Sequence, residues 1–180
     1  MNFIEARQDT SRDTLLAKPA DCGNGCEETL PAPDASQRRV RVSIVNEAMT
    51  WLSTPYHHAA GIKGAGVDCA QILIEVYSSV GLIDKLDAGY YPSDWMLHRS
   101  EERYLGYVEK YAKQVDTPAM GDIVLFKFGR CFSHSGIVVD YPIIIHAQRE
   151  DGCCYADAGK GALAGREVRF YSLFPKEISA

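Results

Sequence analysis

Apolar residues recur with a helical period between residues 72 and 80. The positions on this apolar face are Leu73, Val76, Tyr77 and Val80. Gly81 ends the pattern, as glycine often does after the last turn of a helix. Asp68 stands before it and can cap the helix, because its carboxylate accepts hydrogen bonds from free backbone N–H groups. The pattern therefore predicts a largely buried helix that has Cys69 as its first residue.

Two further helices are predicted on either side of this one. The first begins at Arg38 and ends before Thr54-Pro55, since the residue before a proline disfavours helical geometry. Its periodic apolar positions are Val45, Ala48, Met49 and Leu52. The other is opened by Ser100 as a cap, with Glu101 and Glu102 in its first turn. Its apolar face comprises Tyr104, Val108, Tyr111 and Val115.

After a turn at Gly121-Asp122 the chain changes to short runs of β-branched and aromatic residues. The predicted strands are residues 123–128, 134–139, 142–147 and a last one around Val168 and Phe170. Short turns join them, which is typical of antiparallel pairing. Helices followed by such strands predict an α+β fold, in which the helices pack on one side of an antiparallel sheet.

Residues 1–37 differ from the rest of the chain. Apolar periodicity is weak there, and Pro, Gly and Asp are frequent. We interpret this segment as an extended N-terminal arm and residues 38–180 as the folded domain. Cys22 and Cys26 could supply two thiolates to a metal or cluster, but no second pair has a matching spacing. Two incidental thiols are the favoured interpretation.

Composition limits the classes of function. The chain has 180 residues, 46% of them apolar, and a net charge of -5, which argues against nucleic acid as a partner. No apolar run reaches membrane-spanning length, and residues 1–7 lack a signal-peptide pattern. We expect a protein made in the cytoplasm without a signal peptide. Neither a metal nor a cofactor is predicted. Adjacent His57 and His58 rarely converge on one ion, and we interpret them as a cleft-wall or surface pair.

Three residues could form a catalytic group. His134 begins one predicted strand and His146 ends the next, so a hairpin would bring both to one edge of the sheet. A helix N-terminus favours a thiolate at Cys69, and a histidine base with a second polar residue would complete a cysteine-nucleophile triad. The backbone N–H of Cys69 could donate to an oxyanion. Taken singly, each histidine could equally be a sheet-edge residue without a role.

The order of five short motifs resembles that of cell-wall cysteine peptidases of the NlpC and p-sixty type. The motifs are Thr54-Pro55-Tyr56, Gly64-Ala65-Gly66-Val67-Asp68-Cys69, Gly121-Asp122-Ile123-Val124-Leu125-Phe126, His134-Ser135-Gly136-Ile137 and Ile145-His146-Ala147. The resemblance implies a papain-like fold and hydrolysis of amide bonds in peptidoglycan stem peptides, often after D-glutamate. It implies Cys69 as nucleophile, His134 as base and His146 as the residue that orients the base. It also places Tyr56 near the oxyanion.

The motif at the nucleophile departs from this pattern. Members commonly have Ser-Gly after the cysteine, where this chain has Ala70-Gln71. In some members the flanking Asp and Ser bind a free substrate amine; here Asp68 remains and the hydroxyl is missing. The long loop before Cys69 looks most like a subgroup from phage tail tips and gene transfer particles. That likeness implies tail-tip or baseplate proteins as partners through the arm, and a location in a particle tail.

Two other functions fit the same residues. One is a structural tail-tip protein with a vestigial hydrolase site. The other is an acyltransferase or amidase with the same triad, because a fold and a nucleophile do not determine the acceptor. The complete set of Cys69, His134 and His146 favours a peptidase.

Overall fold

The computed structural model describes residues 35–87, 89, 91 and 102–174. Its helices are α1 (Ala35–Met49), α2 (Gln71–Ser79) and α3 (Arg103–Tyr111). Its strands are β1 (Gly61–Ile62), β2 (Gly66–Val67), β3 (Lys113–Val115), β4 (Ile123–Phe128), β5 (Cys131–Asp140), β6 (Ile143–Gln148), β7 (Gly152–Asp157) and β8 (Val168–Ser172). A short 3-10 turn covers Gly161–Leu163.

Six of these strands form one antiparallel sheet in the order β3-β8-β4-β5-β6-β7. The central strands come from the apolar runs that predicted them, and the hairpin between β5 and β6 turns at the expected place, since β5 ends at Asp140 and β6 begins at Ile143. β1 and β2 pair separately, just before α2. The predicted α+β class is confirmed.

The two faces of the sheet bury different partners. One face packs against the helices, and its cluster joins Ile44 of α1, Val76 of α2 and Val108 of α3 to strand residues such as Leu125. The other face carries a smaller cluster around Phe126, covered by Leu163 of the 3-10 turn. All three described helices therefore lie on one side of the sheet, as the sequence predicts.

Helix boundaries differ from prediction at several points. α1 begins at Ala35, three residues before the predicted start of the domain, and the rest of the predicted arm lies outside the described residues, with Cys22 and Cys26. Ser100 and Glu101 also lie outside them. α3 ends at Tyr111, so Val115 belongs to β3 instead of the predicted helical face. Tyr111 itself is 44% exposed, because the short helix buries Leu105 and Val108 instead.

A buried ion pair ties α1 to the start of β4. The Arg41 guanidinium donates to Asp122 Oδ1 and to the Met120 carbonyl, at 2.7 Å each, and to Ser172 Oγ at 3.0 Å. The Tyr77 hydroxyl donates to the carbonyl of Gly121 at 3.0 Å. These contacts fix the turn before β4 against α1 and α2, and thereby hold α2, the helix that follows Cys69, on the sheet.

Candidate active site

Asp68 shapes the turn that presents Cys69. Its Oδ1 accepts hydrogen bonds from the amides of Ala70 and Gln71, at 3.1 and 2.9 Å. The Asp68 carboxylate thus accepts from free amides as predicted, but the N-cap residue of α2 is Ala70, and regular helix starts only at Gln71. Cys69 lies in the turn just before α2, and is not its first residue as predicted. At the other end, Gly81 adopts φ +76° and ends the helix as expected.

Cys69 lies against the edge of β5. Its carbonyl accepts hydrogen bonds from Ser135 Oγ at 2.6 Å and from the Tyr104 hydroxyl at 3.3 Å. Its Sγ is 4.0 Å from the carbonyl oxygen of Ser133, the residue before His134. The β5–β6 ladder begins only at Gly136, which leaves this edge of β5 accessible to the thiol. Cys69 therefore sits where the two strands diverge, beside the main chain of His134.

His134 and His146 form a close pair. His134 Nε2 is 2.8 Å from His146 Nδ1, and the rings meet edge to face with centroids 5.0 Å apart. Neither residue is at a strand end, in contrast to the prediction: both lie inside their strands, and Gly136 pairs with His146. The rings meet because His134 precedes Gly136 by two positions and so points to the same face.

Gly136 makes this pairing of the two rings possible. A Cβ at that position would lie 2.9 Å from Ile144 Cδ1, 3.1 Å from the Ile145 carbonyl and 3.3 Å from His146 Cβ. Any larger residue would push β6 and the imidazole of His146 away. Gly136 belongs to the His-Ser-Gly-Ile motif, and that motif was the only sequence signal for its role.

Burial shifts the pKa values of the Cys69 thiol and of both imidazoles toward the neutral forms. It raises the pKa of Cys69 to about 12, with the Asp68 carboxylate acting in the same direction and backbone N–H groups of Ser135, Cys69 and Ala70 acting against it. It lowers the pKa of His134 to about 3 and that of His146 to about 4. Burial thus acts against the thiolate that a helix N-terminus is expected to favour at Cys69.

The thiol and the imidazole are neighbours without a direct bond. Among the described residues, no hydrogen bond joins Cys69 to His134; the thiol faces the Ser133 carbonyl. Catalytic hydrogen bonds are often long before substrate binds and shorten in the complex. The structure thus brings the two histidines together and places Cys69 beside the strand that carries His134.

Tyr56 stands at the same site. Its backbone forms a bridge with Val67, just before the Cys69 turn. Burial raises the pKa of Tyr56, and the negative charges that Cys69 and Asp68 carry when ionised act in the same direction, so the Tyr56 hydroxyl stays protonated and can donate. The guanidinium of Arg149 lies 6.0 Å from the centre of the Tyr56 ring. The sequence reasoning did not identify Arg149, because no motif links the β6–β7 turn to this site.

Two more residues missed as site residues surround Asp68. The Tyr91 hydroxyl donates to Asp68 Oδ2 at 2.7 Å. His58 Nδ1 is 3.5 Å from the same oxygen, and its Nε2 is 2.6 Å from the Tyr91 carbonyl. His58 was interpreted as part of a cleft wall or surface pair, and it does line this site. For Tyr91, the sequence offered only its position in an aromatic-rich stretch as a sign that it could line the site.

The described residues contain no group of three or more His, Cys, Asp or Glu side chains that could hold a metal ion. In the same part of the chain, every helix is too short or too polar to cross a bilayer.

The family follows from this geometry and from a direct comparison. The model of the NlpC/P60 family matches residues 53–166, which include the Cys69 turn and both histidines. The chain belongs to the NlpC/P60 family. No curated protein matches the sequence.

Solved structures of NlpC/P60 proteins share the fold. An NlpC/P60 family protein from Bacillus cereus matches with a TM-score of 0.53 and 18% identity, over 72% of this chain and 39% of that one. The peptidoglycan hydrolase RipB from Mycobacterium tuberculosis matches with a TM-score of 0.53 and 13% identity, over 79% and 68%. The P60 domain of a Mycobacterium avium subspecies paratuberculosis antigen matches with a TM-score of 0.52 and 12% identity, over 77% of this chain and 97% of that one. The papain-like NlpC/P60 fold is therefore confirmed.

Proposed function

We propose that this NlpC/P60 protein is a cysteine peptidase that hydrolyses amide bonds in peptidoglycan stem peptides. Cys69 is the nucleophile, His134 the general base and His146 the residue that orients the base. The observation that carries the proposal is the 2.8 Å contact between His134 Nε2 on β5 and His146 Nδ1 on β6, with the Cys69 thiol beside β5. Membership of a family that includes peptidoglycan hydrolases supports the substrate class.

The pKa shifts of the thiol and the imidazole suit a coupled proton transfer. Attack of Sγ on the substrate carbonyl carbon is accompanied by transfer of the thiol proton to His134 Nδ1, since burial raises the pKa of Cys69 and lowers that of His134. The Cys69 N–H and the Tyr56 hydroxyl stabilise the oxyanion. His134 then returns the proton to the leaving amine as the C–N bond breaks, which leaves a thioester. Water hydrolyses the thioester with His134 again as base, and the thiol is regenerated.

The histidine contact also selects a tautomer. His134 can accept a proton at Nδ1 only if its Nε2 carries hydrogen and donates to His146 Nδ1. The proton of neutral His146 is then on Nε2, a buried atom without a hydrogen-bond partner. An unsatisfied buried donor costs about 1–3 kcal/mol. The tautomer that the reaction needs therefore leaves a buried donor of His146 without a hydrogen-bond partner. An orienting residue that only accepts a hydrogen bond would avoid this energetic cost.

We expect a graded loss of activity at position 146. His146→Asn and His146→Gln supply an oxygen acceptor for the Nε2–H of His134 and should retain more activity than His146→Ala, which leaves that donor unpaired. The measurement is kcat/KM for fragment release from purified peptidoglycan. Equal rates for all three variants would contradict an orienting role for His146.

Stability should fall in acid because of the same pair. The folded-state pKa values of His134 and His146, about 3 and 4, lie below the ordinary 6.5. The unfolded chain therefore binds more protons below pH 6.5, and the free energy of unfolding decreases as the pH falls toward 4. Urea unfolding of the wild type at neutral pH and near pH 4 measures the loss. His146→Asn should lose less between the same two conditions; an equal loss would contradict the assignment.

The decisive experiment for the reaction is incubation of the purified protein with peptidoglycan, followed by mass spectrometry of the fragments. New free amino and carboxyl termini within stem peptides are expected. Fragments cut only in the glycan strand would exclude a peptidase. Intact peptidoglycan would favour the second candidate, a structural tail protein with a vestigial site.

We further propose that the protein acts as a phage-type tail-tip component that aids penetration of the cell wall, with residues 1–34 as its attachment to neighbouring tail proteins. The polar, Pro- and Gly-containing composition of that segment supports this. Deletion of residues 1–34 keeps α1 intact and should leave hydrolysis unchanged while preventing incorporation into particles. Both quantities are measured on the same truncated chain. Normal incorporation would contradict the attachment role.

A further inference from the structure

A buried hydroxyl group lies on the helix-facing side of β5, beside the main chain of Cys69. Ser135 is 0% exposed, and its neighbour on β4 is Leu125, which belongs to the apolar cluster beneath the helices. A polar side chain in such surroundings needs a hydrogen-bond partner. Ser135 Oγ donates to the Cys69 carbonyl at 2.6 Å and lies 2.6 Å from the hydroxyl of Tyr104. Ser135 therefore connects the main chain of the nucleophile to α3.

The directions of these hydrogen bonds follow from the number of hydrogens. A carbonyl oxygen only accepts, so the single hydroxyl hydrogen of Ser135 points to the Cys69 carbonyl. The hydrogen between the two hydroxyls then comes from Tyr104, whose other contact, to the Cys69 carbonyl, is longer at 3.3 Å. Burial raises the pKa of Tyr104 well above its ordinary value, so the phenol keeps this hydrogen. Tyr104, Ser135 and the Cys69 carbonyl thus form a hydroxyl chain with one direction.

The hydroxyl chain ends on the peptide unit between Cys69 and Ala70. The same unit carries the Ala70 N–H, which donates to Asp68 Oδ1 at 3.1 Å and also acts to lower the pKa of the Cys69 thiol. A hydrogen bond to a carbonyl polarises its peptide unit and strengthens the N–H as a donor, and successive hydrogen bonds reinforce one another. The hydroxyl chain therefore fixes the plane of this unit and increases the positive charge that its N–H presents to the sulfur.

We propose that Ser135 and Tyr104 are positioning residues, whose hydroxyl chain orients the Cys69–Ala70 peptide unit and keeps the Cys69 sulfur reactive near neutral pH. The proposal rests on the peptidase function proposed above, because it assigns the residues that prepare the nucleophile of that reaction. Both side chains act through the carbonyl of Cys69 and not on the reacting atoms. Loss of the hydroxyl chain should therefore lower kcat and leave KM nearly unchanged.

The test measures the reactivity of the thiol itself. Iodoacetamide is added to the wild type and to Ser135→Ala, and mass spectrometry follows alkylation of the peptide that contains Cys69 between about pH 6 and pH 9. Ser135→Ala should be alkylated roughly three- to tenfold more slowly over this range, the factor expected for one hydrogen bond. A variant in which the site is merely loosened would expose the sulfur and be alkylated faster, and this result would overturn the proposal. An equal rate would also overturn it.

Tyr104→Phe tests the other end of the hydroxyl chain. It removes the hydroxyl and keeps the ring that packs against the apolar cluster. Alkylation should slow by roughly two- to threefold, less than in Ser135→Ala, because the hydrogen bond from Ser135 to the Cys69 carbonyl remains. If Ser135→Ala does not fold, Tyr104→Phe decides the matter: slower alkylation supports the proposal and an unchanged rate overturns it.

The double variant shows whether the two hydroxyls act together. Ser135→Ala combined with Tyr104→Phe leaves the Cys69 carbonyl without either donor, so its sulfur should be alkylated more slowly than in each single variant. A double variant that is no slower than Ser135→Ala would overturn the role assigned to Tyr104.

Ser78→Ala is the matched control. Ser78 Oγ donates to the Glu75 carbonyl at 3.2 Å, so this variant loses a hydrogen bond of the same kind on α2, the helix that follows Cys69. Its alkylation rate should equal that of the wild type, and slower alkylation there would overturn the proposal. On the same proteins, kcat and KM for fragment release from peptidoglycan are measured. If wild type digests no peptidoglycan, the peptidase function fails, while the alkylation rates still decide the role of the hydroxyl chain.

Discussion

Replacing Cys69 with alanine is expected to abolish peptidoglycan hydrolysis, with a loss of at least roughly 10⁴-fold in kcat/KM. The proposed thioester forms on the Cys69 sulfur, which the variant lacks. The fold should survive, because the turn is held by the Cys69 carbonyl through Ser135 and Tyr104, and by the Asp68 carboxylate, and none of these contacts uses the sulfur. The measurement is the release of stem-peptide fragments, together with the thermal unfolding midpoint of the variant.

Cys154→Ala is the matched control for that change. Cys154 is also a partly buried free cysteine, but it lies on β7. Its removal should leave fragment release largely intact, which separates loss of the nucleophile from loss of any thiol. If the Cys69→Ala protein digests peptidoglycan at the wild-type rate, the covalent mechanism is wrong.

His134→Ala is expected to lower kcat/KM nearly as far, by about 10³- to 10⁴-fold. Burial raises the pKa of Cys69 to about 12, so at neutral pH the thiol needs a base during attack. The contact that the described residues give the Cys69 thiol is with the Ser133 carbonyl, which is not a base, so removal of His134 takes away the base proposed for this step. The effect should shrink as the pH rises toward the pKa of the thiol, because hydroxide can then remove the proton. The pH profile of kcat/KM for the variant measures this.

His57→Ala tests whether any nearby histidine matters. His57 is exposed and precedes the Cys69 turn, and its removal should change kcat/KM little. A His134→Ala protein that keeps the wild-type rate at neutral pH would exclude His134 as the base. If the loss of kcat/KM in His134→Ala stays constant up to high pH, His134 supports the structure of the site and does not accept the thiol proton.

Much of the fold was predictable because its signals are local. Two patterns show which face of each element is buried: the helical period before Gly81 and the β-branched runs of β4, β5 and β6. Both can be recognised from neighbouring residues alone. β3 and β7 were missed. They are the edge strands of the sheet, each with a neighbour on one side only, and their alternation of buried and exposed residues is weak.

Local patterns were enough to predict Cys69, His134 and His146 as candidates, Asp68 as an acceptor for the amides that follow it, and the hairpin that joins the two histidines. The burial of these groups follows from the packing of the whole chain. Packing against β5 removes water from the Cys69 thiol and raises its pKa, and the pKa values of the two imidazoles are lowered for the same reason. The contact between Tyr91 and His58 beside Asp68 joins residues that are 33 positions apart. Desolvation and contacts between distant residues depend on how the whole chain packs, and no local pattern carries that information.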